Sequence, residues 1–195
     1  MLPFKKHRVY IHRMRLKLGL NNNAERTLYF YFLTAFFSFG VSLTVIGAVL
    51  PAIIKEAGWS YTQTGFVLAA SAVGYFVTTF ISGFLVRKIG EDKVLFFGLL
   101  IEAAGCALFG VFPSVLFNIG ANLLMGVGHG TMEVVVNSGV SSLEKEDEHH
   151  LMGFAHAAFS VGAVFGPALA SFMLSFMVPW QYVFRALAVL MALLG

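Results

Sequence analysis

GFVLAASAVG at Gly65–Gly74 and GFAHAAFSVG at Gly153–Gly162 are two versions of one decapeptide, identical at six of ten positions and 88 residues apart. The same offset places the first apolar segment of the chain on the fourth, and the third on the sixth. Each version therefore belongs to a unit of three apolar segments. Because three is odd, two such units that cross a membrane must run through it in opposite directions.

The composition indicates a membrane protein, since hydrophobic residues make up 58% of the 195 residues and charged residues only 12%. The mean hydropathy of +0.80 points the same way. We expect an all-α fold of six transmembrane helices, arranged as two inverted three-helix repeats. The predicted helices cover about 28–54, 65–86, 94–112, 114–142, 151–178 and 182–195. The sixth is too short to span a bilayer, so we expect a chain truncated at its C terminus.

The cations predict the orientation, because seven of the thirteen Lys and Arg residues precede the first apolar segment. We expect residues 1–27 to form a basic cytoplasmic arm and residues 28–195 to form the helical bundle. The basic sequence pI of about 9.1 is thus explained by topology, and nucleic acid is not expected as a partner. The expected location is the cell (inner) membrane. Cys106 is the one cysteine, which excludes a disulfide.

A stripe of polar residues interrupts the fourth segment in GHGTMEVVVN, residues 128–137. His129, Glu133 and Asn137 are four apart and share one helix face, with Asn122 on the same stripe. An ionised group near the centre of a bilayer costs roughly 3 kcal/mol, so we expect Glu133 to face the bundle interior, protonated or partnered. His129 is its nearest candidate partner, and Glu133 is a candidate proton carrier or substrate ligand. The alternative is a neutral glutamate that only holds helices together.

Three more polar residues lie in apolar surroundings. We expect His156, in the fifth segment, to line one cavity with Glu133, although a helix-packing histidine is the alternative. Glu102, in the third segment, is a candidate second protonation site, and a structural acid bonded to a neighbouring helix is the alternative. Arg185 is expected to act as an anchor near the outer membrane interface.

Gly74 is followed, after eight residues, by GFLVRKIGEDK at residues 83–93. This stretch resembles the loop motif of the major facilitator superfamily between helices 2 and 3. Glycines there permit close packing and a tight turn. The matching residues are Gly74, Gly83, Lys88 and Gly90, and Arg87 lies within the same motif. The sequence departs from the family because Arg87 stands where the family has an acid, and Glu91 and Asp92 replace basic residues.

Two stretches, MEVVVNSGV at 132–140 and LMGFAHAAFSVGAVFGP at 151–167, resemble sugar permeases related to fucose permease. The resemblance implies that Glu133 is the protonation and sugar-contacting acid and that Asn137 is a sugar or structural ligand. It places His156 where such permeases carry a polar sugar-binding side chain. An aspartate that serves coupling in the first helix has no counterpart, since Gly47 stands there. The resemblance covers the N-terminal half of such a transporter.

The fifth segment also resembles the proton antiporter motif, through Gly153, Gly162, Gly166 and Pro167. The antiporter arginine of helix 4 is missing, because Asn122 stands in its place. Glycines at helical spacing also permit a tight helix crossing, and we prefer that interpretation.

We therefore expect a transporter that works by alternating access, with a small-molecule substrate, a sugar or similar polar solute, and with protons as a possible second partner. A proton-coupled drug or metabolite antiporter is the second hypothesis. The third is a non-transporting scaffold, a receptor or an inactive half-length product. A second six-helix half and the lipid bilayer are the other expected partners. No enzyme activity, cofactor or metal site is predicted, since the sequence has no catalytic triad, phosphate loop or ligand cluster.

Overall fold

The computed structural model describes residues 23–144 and 150–195, which form six α-helices and no strand. The predicted all-helical class is confirmed. The helices are α1 Asn23–Ala57, α2 Tyr61–Ile89, α3 Glu91–Leu108, α4 Val115–Leu143, α5 Leu151–Ser175 and α6 Gln181–Leu194. Most of the predicted basic arm lies outside the described residues, as does the run of charges at 145–149. Four helices, α1, α2, α4 and α5, are long and apolar enough to cross a membrane.

Short polar signals set the helix boundaries. Ser60 caps α2, since its hydroxyl accepts from the Gln63 amide and the Gln63 side chain accepts from the Ser60 amide. Gly90, with φ of +92°, lets the chain turn directly from α2 into α3. The side chain of Asn118 ties the α3–α4 connection together by accepting from the Gly110 amide at 2.8 Å and donating to the Phe112 carbonyl at 2.7 Å.

The packing has the symmetry that the repeat predicts. Helix α1 packs along α5, and α4 packs along α2, so the first helix of each unit lies on the second helix of the other. Gly74 lies directly against the backbone of α4, and Gly162, 88 residues later, lies directly against the backbone of α1. Gly65 and Gly153, also 88 residues apart, both face open space. The two units thus use equivalent glycines in equivalent ways.

Helix α4 occupies the centre of the bundle. In its most apolar stretch 61% of the residues are buried, against 17% for α5. Glycines bring α3 close to α4, because Gly98 lies against Thr131 and Gly105 against the backbone of Met125. Four polar side chains of α4, namely Asn118, Asn122, His129 and Thr131, are buried among the neighbouring helices.

One end of the bundle contains the start of α5 and is called here the Glu144 end. The Glu144 carboxylate accepts from the Leu151 amide at 3.0 Å and the Met152 amide at 3.3 Å, which caps α5. The Tyr29 hydroxyl donates to the Leu151 carbonyl at 2.9 Å and so fixes α1 to the same point. The Glu91 carboxylate accepts from the Ser138 hydroxyl at 2.6 Å, which joins α3 to α4.

The opposite end is called the Trp180 end. The Glu56 carboxylate accepts there from the Trp180 indole at 2.8 Å and from the Gln181 amide at 2.7 Å. Arg185 donates to the carbonyls of Cys106 at 2.7 Å and Phe109 at 3.0 Å. Its guanidinium thus satisfies carbonyls at the end of α3, while the expected role of Arg185 as an interface anchor stays a prediction.

Candidate functional site

A cleft of about 430 Å³ lies between α1, α2, α4 and α5. Aliphatic and aromatic side chains form much of its wall, namely Phe39, Leu43, Ile46, Leu68, Ala72, Met125 and Phe159. Its polar residues are Ser42, Ser71, Tyr75, Asn122, His129 and Glu133. A mainly apolar wall with a few polar groups is typical of a small-molecule site, and the volume falls within the usual range of about 300–1,000 Å³.

Glu133 contributes the only carboxylate in the wall of this cleft among the described residues. Its side chain is partly buried and accepts a hydrogen bond from the Asn137 amide nitrogen at 2.9 Å. The side-chain oxygen of Asn137, Oδ1, is buried and has no hydrogen-bond partner within the described part of the chain. Glu133 thus has one oxygen held by its own helix and the other available to the cleft.

The prediction that His129 is the partner of Glu133 is wrong. His129 turns away from Glu133, and its Nε2 lies 3.2 Å from Oε1 of Glu102 on α3 and 3.0 Å from the Ser42 hydroxyl on α1. Residues four apart on one helix can meet, but these two make their polar contacts elsewhere. The Phe39 ring also packs on the imidazole, with ring centroids 5.3 Å apart.

Glu102 is fully buried and lies behind the cleft rather than in its wall. Gly128 makes room for it, because a Cβ on Gly128 would lie 2.8 Å from Glu102 Oε2. Neither carboxylate oxygen has a well-directed hydrogen bond in the described structure. A buried carboxylate without hydrogen bonds is costly, so this acid needs a proton or a cationic neighbour.

Asn122 links α4 to α2, since its amide nitrogen donates to the Val67 carbonyl at 2.7 Å. The residue is buried but still borders the cleft. Its side-chain oxygen is the part that remains for a solute. Asn122 therefore combines helix packing with a place in the site.

His156 does not share the cleft with Glu133, which corrects our expectation. Its side chain is exposed, and its ring packs on Phe36 with centroids 5.6 Å apart. The neighbouring aromatic residue, Phe159, occupies the cleft wall instead. The alternative of a packing histidine describes this position better.

The two glycine motifs are only partly used for packing. Gly166 joins Gly162 against α1, where a Cβ on Gly166 would lie 2.8 Å from the Val41 carbonyl oxygen. Gly83 and Gly153 face open space, so neither makes the expected close contact with another part of the chain that the structure describes. Arg87 and Lys88 are exposed at the Glu144 end, and Pro167 lies within α5. In the ranges that the structure describes, no group of three His, Cys, Asp or Glu residues could hold a metal.

The polar residues of the cleft that sequence reasoning missed are Ser42, Ser71 and Tyr75. Ser42 and Ser38 are four apart in α1, the same spacing that marked the stripe on α4. Both serines are buried, and Ser42 is the one that contacts His129. The spacing was a usable signal, whereas nothing in the sequence pattern distinguishes Tyr75 from the aromatic residues around it.

Four helices that are long and apolar enough to cross a membrane, with an internal cleft between them, define the class as a multi-pass membrane protein. The chain matches the Major Facilitator Superfamily over residues 31–195 and belongs to that family.

Several transporters resemble the chain. It is 25% identical to Multidrug resistance protein 2 of Bacillus subtilis over 171 residues, which are 87% of this chain and 43% of that protein. It is 30% identical to the uncharacterized transporter y4wD of Sinorhizobium fredii over 66% of this chain and 34% of that protein. The uncharacterized MFS-type transporter YcaD of Salmonella enteritidis is 26% identical over 67% of this chain and 35% of its own length. The chain thus spans less than half the length of these relatives.

Proposed function

We propose that this bundle is the N-terminal half of a secondary active transporter, and that its cleft binds an amphipathic organic solute with a positive charge. The observation that carries the proposal is the single carboxylate, Glu133, in a wall of aromatic and aliphatic side chains. The apolar wall suits the body of such a solute, and the free oxygen of Glu133 suits its cationic group. The aromatic rings of Phe39, Tyr75 and Phe159 in the same wall add cation–π attraction.

The proposal includes a second six-helix half, with which this bundle rocks around the cleft. The relatives support this, because the chain aligns with less than half of each. We further propose that the Glu144 end is cytoplasmic, since the basic residues 87, 88 and 93 lie at that end and the basic arm precedes α1. The proposed location is the inner membrane. The name of the Bacillus relative, Multidrug resistance protein 2, is in keeping with a drug-like organic solute.

A sugar is the second candidate solute. It is favoured by the Glu133–Asn137 pair and by the Asn122 oxygen, which provide hydrogen-bonding groups on one side of the cleft. A sugar would need more polar contacts than this wall offers from α1 and α5, where Phe39, Leu43 and Phe159 predominate. We therefore rank the cationic solute first.

The test is transport by the full-length gene product in proteoliposomes. Ethidium serves as the aromatic cation and radiolabelled fucose as the sugar, each measured with and without a pH gradient. We expect ethidium flux that is reduced at least tenfold in Glu133→Gln. Glu91→Gln is the matched control, because it makes the same chemical change on α3, outside the cleft.

The outcomes separate the hypotheses. Flux of fucose but not ethidium would replace the first candidate by the second. Ethidium flux that is equal in wild type and Glu133→Gln would show that Glu133 is not the solute's counter-ion. Saturable binding of either probe without flux would favour a receptor over a transporter.

A further inference from the structure

The Glu102–His129 contact places a carboxylate and an imidazole in a dry position behind the cleft. Both side chains are buried, at 0% and 2% exposure. In the part of the chain that the structure describes, no Lys or Arg nitrogen lies within 4.0 Å of the Glu102 carboxylate, and His129 Nε2 is its one ionisable nitrogen neighbour. The charge of Glu102 must therefore be balanced by His129 or removed by a proton.

Two arrangements of this pair carry no net charge. In one, the imidazole is protonated and the carboxylate is ionised, and in the other a neutral imidazole faces a carboxylic acid. Both contain one proton more than the ionised carboxylate beside a neutral imidazole. Removing that proton breaks one N–H or O–H bond and leaves a buried negative charge, whereas binding it restores neutrality.

The Ser42 hydroxyl allows both states to keep a hydrogen bond to the ring. It lies 3.0 Å from the same Nε2. A hydroxyl accepts when that nitrogen carries a proton and donates when it does not. The ring is also the route of exchange, because His129 and Ser42 border the cleft while Glu102 does not.

Other titratable groups surround the cluster without touching the Glu102 carboxylate. They are Cys106 on α3, Glu133 on α4, Tyr75 on α2 and Arg185 on α6. The Arg185 guanidinium donates its hydrogen bonds to carbonyl oxygens at the end of α3. The Glu133 carboxylate accepts a hydrogen bond from Asn137 and borders the cleft. Neither can replace His129 as the direct partner of Glu102.

We infer that Glu102, His129 and Ser42 form a proton-binding site that is separate from the solute carboxylate Glu133. The cleft supplies the proton through the His129 ring, and the pair holds it with Glu102, a carboxylate that lies behind the cleft wall and apart from Glu133. Coupling of this site to solute movement rests on the proposed transport function, but binding of the proton does not. Glu133 is then free to bind solute without also carrying the coupling proton.

The decisive measurement is the titration of His129 in the full-length gene product, followed by nitrogen-15 NMR of labelled histidines, with the resonance assigned by its loss in His129→Gln. In Glu102→Gln the balancing charge is gone, so the titration midpoint should fall by about one pH unit or more, a tenfold change in proton affinity. Glu91→Gln should leave the midpoint within experimental error. Glu102→Asp, which withdraws the carboxylate by one methylene, gives a smaller fall and serves if the glutamine variant does not fold.

A His129 midpoint that is equal in wild type, Glu102→Gln and Glu102→Asp overturns the inference. A second arm measures ethidium exchange across a pH series in proteoliposomes, where the pH dependence of wild type should be lost in Glu102→Gln and kept in Glu91→Gln. Exchange with the same pH profile in wild type and Glu102→Gln overturns the coupling role. If wild type moves neither ethidium nor fucose, the proposed transport function fails, and the NMR titration still decides whether the pair binds the proton.

Discussion

Gly74 and Gly162 provide a test of the repeat, because each is a point where two helices touch backbone to backbone. A Cβ on Gly162 would overlap the Phe37 carbonyl oxygen and lie 2.9 Å from its carbon. A Cβ on Gly74 would meet the Leu123 carbonyl oxygen and the Val127 amide nitrogen of α4. Backbone atoms cannot rotate away as side chains do, so alanine at either position must push the helices apart.

The size of the effect follows from these distances. Restoring ordinary carbon contacts of about 3.5 Å from 2.9 Å requires a separation of at least roughly 0.6 Å along the contact. Overpacking of this kind costs about 1–3 kcal/mol, and the upper half of that range applies where backbone is struck. Gly162→Ala and Gly74→Ala should therefore each destabilise the protein by about 2–3 kcal/mol and lower its Tm.

Gly153 and Gly65 are matched controls, since they lie in the same two helices and face open space. Alanine there removes a helix-weakening glycine, worth about 1 kcal/mol in the favourable direction. Tm is measured by heating the full-length product in detergent and following the folded fraction by size-exclusion chromatography. Equal Tm values for Gly162→Ala and Gly153→Ala, or a loss at Gly162 without one at Gly74, would refute the equivalent use of the two glycines.

Three further substitutions test single contacts. Gly128→Ala should push the Glu102 carboxylate aside and destabilise the protein by about 1–3 kcal/mol, as followed in the same Tm assay. It should also lower the His129 titration midpoint, and an unchanged midpoint would contradict the role given to Gly128. Tyr29→Phe removes one buried hydroxyl bond to α5 and should cost about 1 kcal/mol, so a Tm equal to wild type would speak against that contact. Glu56→Ala removes the two hydrogen bonds that Trp180 and Gln181 donate to this carboxylate, and it should cost about 1 kcal/mol. Blue-shifted or unquenched indole fluorescence would be an independent sign that the Trp180 bond is lost. An unchanged Tm and unchanged fluorescence would show that the contact does not persist in solution.

The fold could be predicted because it depends on features that can be read directly from the sequence, namely the repeat spacing and the length of the apolar segments. The 88-residue offset relates Gly74 to Gly162, and the structure places both against a helix of the other unit. Apolar length predicts where helices cross, but it does not record where they end. Helix α3 begins at Glu91, among charged residues, because acids at a helix N-terminus are stabilising and Gly90 supplies the turn before it.

The site was predictable only along one helix at a time. Spacing by four placed His129 and Glu133 on one face of α4, and both border the cleft. Spacing could not show that His129 contacts Glu102, which lies 27 positions earlier in the chain, or that Ser42 completes the cluster. Those contacts depend on how α1, α3 and α4 pack, and glycine positions such as 128 decide that packing. His156 shows the same limit, since its depth in the membrane did not tell which way its ring points.

The separation of the two acids has a consequence for the sign of coupling. His129 and Glu133 are four residues apart on α4, so their Cβ atoms lie about 6 Å apart. Binding a proton at the pair and binding a cation at Glu133 each add one positive charge. At about that distance and an effective dielectric constant of about 20, the two additions oppose each other by up to about 3 kcal/mol, which is roughly a hundredfold in affinity. A proton on the Glu102–His129 pair and a cationic group at Glu133 would therefore weaken each other's binding, and each would promote release of the other. An uncharged sugar would feel no such repulsion and could occupy the cleft together with the proton. With the same residues, we thus expect exchange of protons for a cationic solute and joint movement of protons with a neutral one, so that the charge of the solute decides the direction of coupling.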